Sequence, residues 1–201
     1  MQHHDWDSRY ASSERLFSTE PDGTLAELAQ DLAPGRALDL GAGEGRNSLW
    51  LARRGWDVTA VDQSGVALGR LAAEARRQEL AVTTVVADMN EYLAAAGQFD
   101  LVVLANLHPT PKERATMLAA AADSLSPGGH LFVVGHHVDS LGIAGPPDPR
   151  RLYTEELLAQ ALPGLELLRL ERRDGRHGDT GKRSVDVVAW ATRPADEEGH
   201  R

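Results

Sequence analysis

The strongest constraint on this chain is an alternation of short apolar runs with helically spaced segments. Apolar runs occupy residues 36–40, 57–61, 82–87, 99–105 and 130–134, each ending near Gly, Asp or Asn. Between them Leu49 and Ala52, then Val66, Leu68, Leu71 and Ala75, then Met117, Leu118, Ala121 and Leu125 recur at helical spacing. Strand and helix alternating at this pitch predict an α/β fold, a parallel sheet with helices on both faces. Strands that are apolar along their whole length fit a sheet covered on both sides. Residues 24–32 predict a helix before the first strand, stopped by Pro34-Gly35. Residues 142–151 read as an ordered loop, after which Thr154 is placed to cap another helix. Residues 165–170 and 184–191 predict two closing strands joined by a polar turn at 174–183. So direct a connection allows them to pair antiparallel.

Composition narrows the class. The chain has 201 residues, which at about 150 residues per domain is one domain. It is expected to cover 1–195, with 1–34 forming an N-terminal lid and helix and 196–201 a frayed tail. Lys and Arg total 21 against 30 Asp and Glu, a net charge of −9. Nucleic-acid and anionic-membrane partners want a positive face, so neither is expected. There is no cysteine, which removes disulfides, zinc ribbons and thiol nucleophiles together and suits a reducing cytoplasm. No apolar run reaches the roughly 18 residues of a membrane helix. The first residues, Met1-Gln2-His3-His4-Asp5-Trp6, do not form a secretory signal.

The sharpest chemical signal is Asp39-Leu40-Gly41-Ala42-Gly43-Glu44-Gly45-Arg46-Asn47, where the first strand passes into the first helix. Glycines there let the backbone turn tightly and approach a ligand. The helix N-terminus behind them offers N–H groups and partial positive charge. The dinucleotide fingerprint is G-x-G-x-x-G, its third glycine permitting close helix packing. Here the spacing is G-x-G-x-G, and Arg46 stands where that third glycine would fall. That argues against NAD and FAD. Asp62 ends the second run about 20 residues later, the separation of a ribose-binding acid. A carboxylate accepts from both hydroxyls of a free 2′,3′-diol; the alternative role for Asp62 is capping a helix that starts near Ser64. Asp88 closes the third run, at the sheet edge where such folds bind ligands. Together these features point to one adenosine along the sheet edge.

With the Leu125-Ser126-Pro127-Gly128-Gly129 turn before strand five, the pattern resembles the class I S-adenosylmethionine (SAM)-dependent methyltransferases. The stretch from Asp39 to Ala52, with its Arg46-Asn47-Ser48 extension, is similar to the bacterial tellurite-resistance (TehB-like) subgroup. The resemblance implies a Rossmann-like seven-stranded sheet, order 3-2-1-4-5-7-6, with the last strand antiparallel. It implies Gly41, Ala42 and Gly43 against the methionine part of SAM, Asp62 on the ribose, and Asp88 on the adenine amino group with Met89 beside it. Asn47, Gln63, Asn106 and Leu107 complete the implied cofactor set. Ala42 departs from the cysteine common in relatives but keeps its small size. Trp6-Asp7-Ser8-Arg9-Tyr10 resembles the family's W-D-x-R-Y opening, which implies a segment over the donor site and a place for Tyr10 in it. Aromatic faces also suit a sulfonium.

The implied reaction is methyl transfer from SAM, leaving S-adenosylhomocysteine, to a small-molecule acceptor with an oxygen, sulfur or chalcogen-oxyanion nucleophile. It needs no metal. A hydroxyl acceptor would require a base, and the candidates are His108, His136, His137 and His177. His136 and His137 are neighbours in an extended strand, so one is expected at the site and the other in a structural role. Arg150, Arg151, Arg173, Arg176 and Lys182 could attract an anion or simply form a solvated face. A SAM-binding protein without catalysis and a nucleotide-dependent oxidoreductase are the alternatives, and the chain is expected to be a monomer or a homodimer.

Overall fold

The computed structural model describes residues 3–92, 94–177 and 182–195, without the side chains of 3–5, 176, 177 and 182. Seven strands form one sheet in the order β3-β2-β1-β4-β5-β7-β6, the order the resemblance implied. They are β1 (Arg36–Leu40), β2 (Asp57–Asp62), β3 (Val82–Val86), β4 (Phe99–Ala105), β5 (Leu125–His136), β6 (Glu166–His177) and β7 (Lys182–Thr192). The helices are α1 (His3–Ala11), α2 (Gly23–Ala29), α3 (Arg46–Arg53), α4 (Gly65–Arg77), α5 (Pro111–Ser124) and α6 (Glu155–Ala161). β1 pairs parallel with β2 and β2 with β3, whereas β7 runs antiparallel to both β5 and β6. Two compact units can be distinguished. One is Met1–Leu93 with Leu101–Val103, and the other is Ala94–Asp100 with Leu104–Arg201.

In the first unit Leu49 of α3, Ala60 of β2 and Leu68, Leu71 and Ala75 of α4 form a buried cluster. The spacing of the α4 residues is what puts them on one face of the helix. Ser64 caps α4 by accepting from the Ala67 N–H, and Asp22 caps α2 by accepting from Thr24 and Leu25. In the second unit Phe132 of β5 meets Trp190 of β7 edge-on, ring centroids 6.4 Å apart. Thr110 and Glu113 close a reciprocal capping box on α5. Thr154 caps α6, as its position predicted.

Three expectations need correction. Of the polar stretch read as a turn, residues 174–177 and 182–183 belong to β6 and β7, pairing Asp174 with Val185 and His177 with Lys182, and 178–181 lie outside the described residues. Ion pairs such as Arg183–Asp174 decorate this part of the ladder, so it lacks the apolar pattern by which strands are read. The turn expected before strand five lies within β5, where the Gly128 N–H donates to the Arg193 carbonyl and the Gly129 carbonyl accepts from the Arg193 N–H. The opening segment, read only as a lid, contains the helix α1. The tail at 196–201 lies outside the described residues.

Candidate functional site

The loop from β1 to α3 owes its shape to glycines at positive φ: Gly41 at 69°, Gly43 at 55° and Gly45 at 81°. The N–H groups of Gly41 and Ala42 both donate to the Val61 carbonyl, at 2.8 and 3.0 Å. The Gly43 N–H donates to Asp62 Oδ2 at 2.8 Å. These loop donors are therefore spent on β2 and its terminal acid. Gly45 performs the packing task that the dinucleotide fingerprint gives to its third glycine. A Cβ there would stand 2.2 Å from Leu71 Cδ1 of α4.

Asp62 is both ligand candidate and structural anchor. Its Oδ1 accepts from the Ser64 N–H and its Oδ2 from Gly43, each at 2.8 Å. Burial raises its pKa, and the charge of Asp7 adds to that, against the lowering by these N–H donors. A carboxylate has about four lone-pair positions, and with the Gln63 N–H also facing it some acceptor capacity remains. Asp88 Oδ1 accepts from both the backbone and the side-chain nitrogen of Asn90, which leaves Asn90 Oδ1 buried with no partner. Such an atom is costly unless a donor reaches it, and the adenine amino group is a donor. Asn90 was not recognised in the sequence; its only signal is its place two residues beyond Asp88. Gln63 and Met89 are half-buried beside these acids. The spare acceptor positions of Asp62 and the unpartnered Asn90 Oδ1 suit the hydroxyl and amino donors of a nucleoside.

The N-terminal segment lies on this loop. Tyr10 is buried, and its hydroxyl stands 2.7 Å from where a Gly43 Cβ would be. Burial raises its pKa, reinforced by Asp62 and Glu44. Its ring is flanked by Trp6 and Phe17, at centroid distances of 5.9 and 6.1 Å, and the Arg9 guanidinium lies over Trp6 at 4.5 Å. Asn47 spends its side-chain oxygen on the Asp22 N–H at 2.9 Å. It thus ties α3 to the start of α2. Below the loop, Asp39 is buried and accepts from the Ser48 hydroxyl at 2.6 Å. Burial pushes its pKa up to about 6.

The histidine candidates belong to the second unit. Asn106 follows β4 at φ 59°, a left-handed conformation uncommon outside glycine. Its carbonyl receives His108 Nδ1 at 3.1 Å. His108 Nε2 accepts from the His136 N–H at 3.0 Å. Both ring nitrogens of His108 are thus committed, and burial and the neighbouring His136 lower its pKa to about 4. The two rings stack 4.9 Å apart, and the Tyr153 hydroxyl holds the Leu107 carbonyl at 2.7 Å. His136 Nδ1 meets Asp186 Oδ1 at 2.7 Å, an acid not anticipated from the sequence because it lies 50 positions away. His137 is buried. Its Nδ1 accepts from the Asp139 N–H, and its Nε2 lies 3.2 Å from Glu155 Oε2. His137, just past the end of β5, is thus the buried one of the pair. The side chain of His177 lies outside the described ones.

The arginines do not converge. Arg150 pairs with Asp148, Arg173 with Glu171, and Arg151 Nε donates to the His108 carbonyl; the side chains of Arg176 and Lys182 are outside the described ones. Among the described residues no group of three His, Asp or Glu side chains is arranged to hold a metal ion. No described helix is long and apolar enough to cross a membrane.

Residues 37–129 match a family described as "Methyltransferase domain". Over residues 37–129 the chain is therefore similar to methyltransferase domains. Its sequence is 33% identical over 78 residues to a protein of Haemophilus influenzae named probable S-adenosyl-L-methionine-dependent methyltransferase TehB. That match covers 39% of this chain and 27% of the relative. The crystal structure of H. influenzae TehB superposes with a TM-score of 0.75 at 20% identity, over 96% of this chain and 67% of that one. A solved structure concerned with conversion of a disulfide bond into a thioacetal group during echinomycin biosynthesis gives a TM-score of 0.81 at 19% identity. It covers 98% of this chain and 94% of its own. A ribosomal RNA small subunit methyltransferase C from Alcanivorax borkumensis is 32% identical over 108 residues, 51% of this chain and 33% of the relative. The chain thus spans about a third or less of the length of these two curated relatives.

Proposed function

We propose that the protein transfers the methyl group of SAM to a small-molecule acceptor. The observation that carries this reading is the union of the glycine loop with Asp62. One bond joins the surface for the methionine part to the acid for the ribose. The sulfonium already activates the methyl carbon, so the protein has to align donor and nucleophile and exclude water. Gly41 and Gly43 allow close approach, Asp62 orients the ribose, and Asp88 with Asn90 receives the adenine edge. Tyr10, buried against the loop, excludes water from it.

The acceptor we favour is small and carries an oxygen, sulfur or chalcogen-oxyanion nucleophile. The net charge of −9 speaks against RNA as the acceptor, since duplex affinity is built largely on phosphate neutralisation. If a base is needed, the His136–Asp186 pair has the chemistry, because an acid on Nδ1 fixes Nε2 as the basic nitrogen. The lack of cysteine suits a cytoplasmic enzyme, acting as a monomer or homodimer.

Calorimetric titration with S-adenosylhomocysteine, NADH and NADPH tests the cofactor reading, followed by a methyl-transfer screen of thiols, oxyanions, hydroxylated small molecules and a ribosomal RNA fragment. Binding of S-adenosylhomocysteine alone with turnover of a small molecule supports the proposal. Turnover of RNA only would replace the acceptor class. Binding without any turnover would favour a SAM-sensing role.

A further inference from the structure

One part-buried ion pair anchored in the glycine loop has no part in the cofactor contacts above. Glu44, which follows Gly43, is only 5% exposed. Its Oε2 accepts from the backbone N–H groups of Leu16 at 3.0 Å and Phe17 at 3.2 Å. Its Oε1 takes Arg70 Nη1 at 2.8 Å. The other arm of that guanidinium, Nη2, donates to the carbonyls of Tyr10 at 2.8 Å and Ser13 at 2.7 Å. The carboxylate thus holds the N-terminal segment by its N–H groups and the guanidinium holds it by its carbonyls. Two of these contacts come at the end of α1, where a cation also meets the negative pole of the helix. Only a planar fork with several donors reaches all three acceptors, so lysine would not substitute. Burying the pair is costly unless every partner is satisfied, and here the partners lie in the segment itself.

A second set of bonds reaches the same place. Asp7 Oδ1 accepts from the Ser64 hydroxyl at 2.5 Å and from the Val66 N–H at 3.2 Å. The Ser64 N–H donates to Asp62 at 2.8 Å. A continuous path therefore runs from α1 through Ser64 to Asp62 and on to Gly43.

We propose that Glu44 and Arg70 are positioning residues, a latch that fixes Tyr10 on the glycine loop so that docking of the N-terminal segment and cofactor binding form one coupled equilibrium. This rests on the cofactor reading above. The Tyr10 hydroxyl touches the Gly43 surface that a ligand would use, so the docked segment shapes that surface. Undocking releases backbone entropy over many residues, which the latch opposes. A ligand that binds only the docked form has its affinity multiplied by the fraction docked. Cutting the latch therefore weakens binding although neither latch residue needs to touch the ligand.

Hydrogen exchange of the full-length protein, with and without saturating S-adenosylhomocysteine, tests this when paired with calorimetric affinities. The variants are Arg70→Met, Arg70→Lys and Glu44→Gln. Without ligand, Arg70→Met should raise exchange across residues 7–17 by about tenfold or more, with the rest of the chain unchanged. Affinity should fall by the factor by which the docked fraction itself falls, and saturating ligand should restore protection to that segment. Arg70→Lys and Glu44→Gln should lie between it and wild type. A merely structural ion pair would lower the melting temperature and leave both the affinity and the ligand-induced protection as in wild type. That result in folded Arg70→Met overturns the proposal; if Arg70→Met does not fold, the same result in the two milder variants overturns it. A wild-type protein that binds no S-adenosylhomocysteine overturns the cofactor reading instead, while exchange without ligand still reads the latch on its own.

Discussion

Nε2 of His108 accepts a hydrogen bond from the backbone N–H of His136 at 3.0 Å. That one contact removes the basic lone pair of the ring, since Nδ1 already faces the Asn106 carbonyl. His108 is a neutral strut between two strand ends, not a base. Burial, helped by His136, lowers its pKa from 6.5 to about 4. Between those values the unfolded chain takes up a proton that the folded chain refuses. The stability His108 confers is complete above about pH 6.5 and is lost as the pH falls toward 4, by up to about 3 kcal/mol. His108→Gln, which keeps an acceptor for the His136 N–H, should flatten that decline. Urea unfolding at pH 7.5, 6 and 5 measures it; a wild-type slope in the variant would refute the assignment.

Asp39 should act with the opposite sign. Burial raises its pKa from 3.8 to about 6, against the lowering by the Ser48 hydroxyl. Its favourable contribution is complete below about pH 4 and is lost as the pH rises through 6. Asp39→Asn keeps an acceptor for Ser48 and removes the charge. It should be more stable than wild type at pH 8, by up to about 3 kcal/mol, and should show a steeper acid decline because His108 is no longer opposed. Denaturant melts at both pH extremes check this, and an Asn variant less stable at pH 8 would contradict it.

Gly43→Ala tests the loop surface. The new Cβ would meet the Tyr10 hydroxyl at 2.7 Å, at a φ of 55° that side chains rarely adopt. The strain should cost roughly 1–2 kcal/mol of stability, and S-adenosylhomocysteine affinity should fall at least about tenfold. Gly142→Ala is the control, since its φ is 78° but nothing lies within 4 Å. It should share the strain and keep full affinity. Equal binding by the two variants would mean that the loop is only a turn.

Sequence patterning located β1 and β4 to the residue, because their apolar runs have sharp polar borders. It failed at β6 and β7, where Arg183 and Asp174 make a strand pair out of residues that read as a turn. It missed α1 because that helix has a weak apolar face and gains its order from Asp7, Arg70 and Glu44. Spacing alone put Asp62 at the end of β2 beside the glycines. Asp186, Asn90 and the Glu44–Arg70 pair were not legible. Their roles arise from contacts between distant parts of the chain or from a single unsatisfied atom. Ser64 and not Asp62 caps α4, while Asp62 braces both the Ser64 N–H and the glycine loop; its place on the ribose is the proposal tested below.

The most direct test of the account is calorimetric titration of S-adenosylhomocysteine into wild type and Asp62→Ala. Loss of charge-assisted bonds to the ribose should cost about 2–4 kcal/mol, or roughly 30- to 1,000-fold in affinity. Circular dichroism should show the variant still folded. Tight wild-type binding that is nearly abolished in the variant is the predicted result. Wild-type affinity in Asp62→Ala, or binding of NADH with no binding of S-adenosylhomocysteine, would contradict the assignment of this loop and acid as the cofactor site.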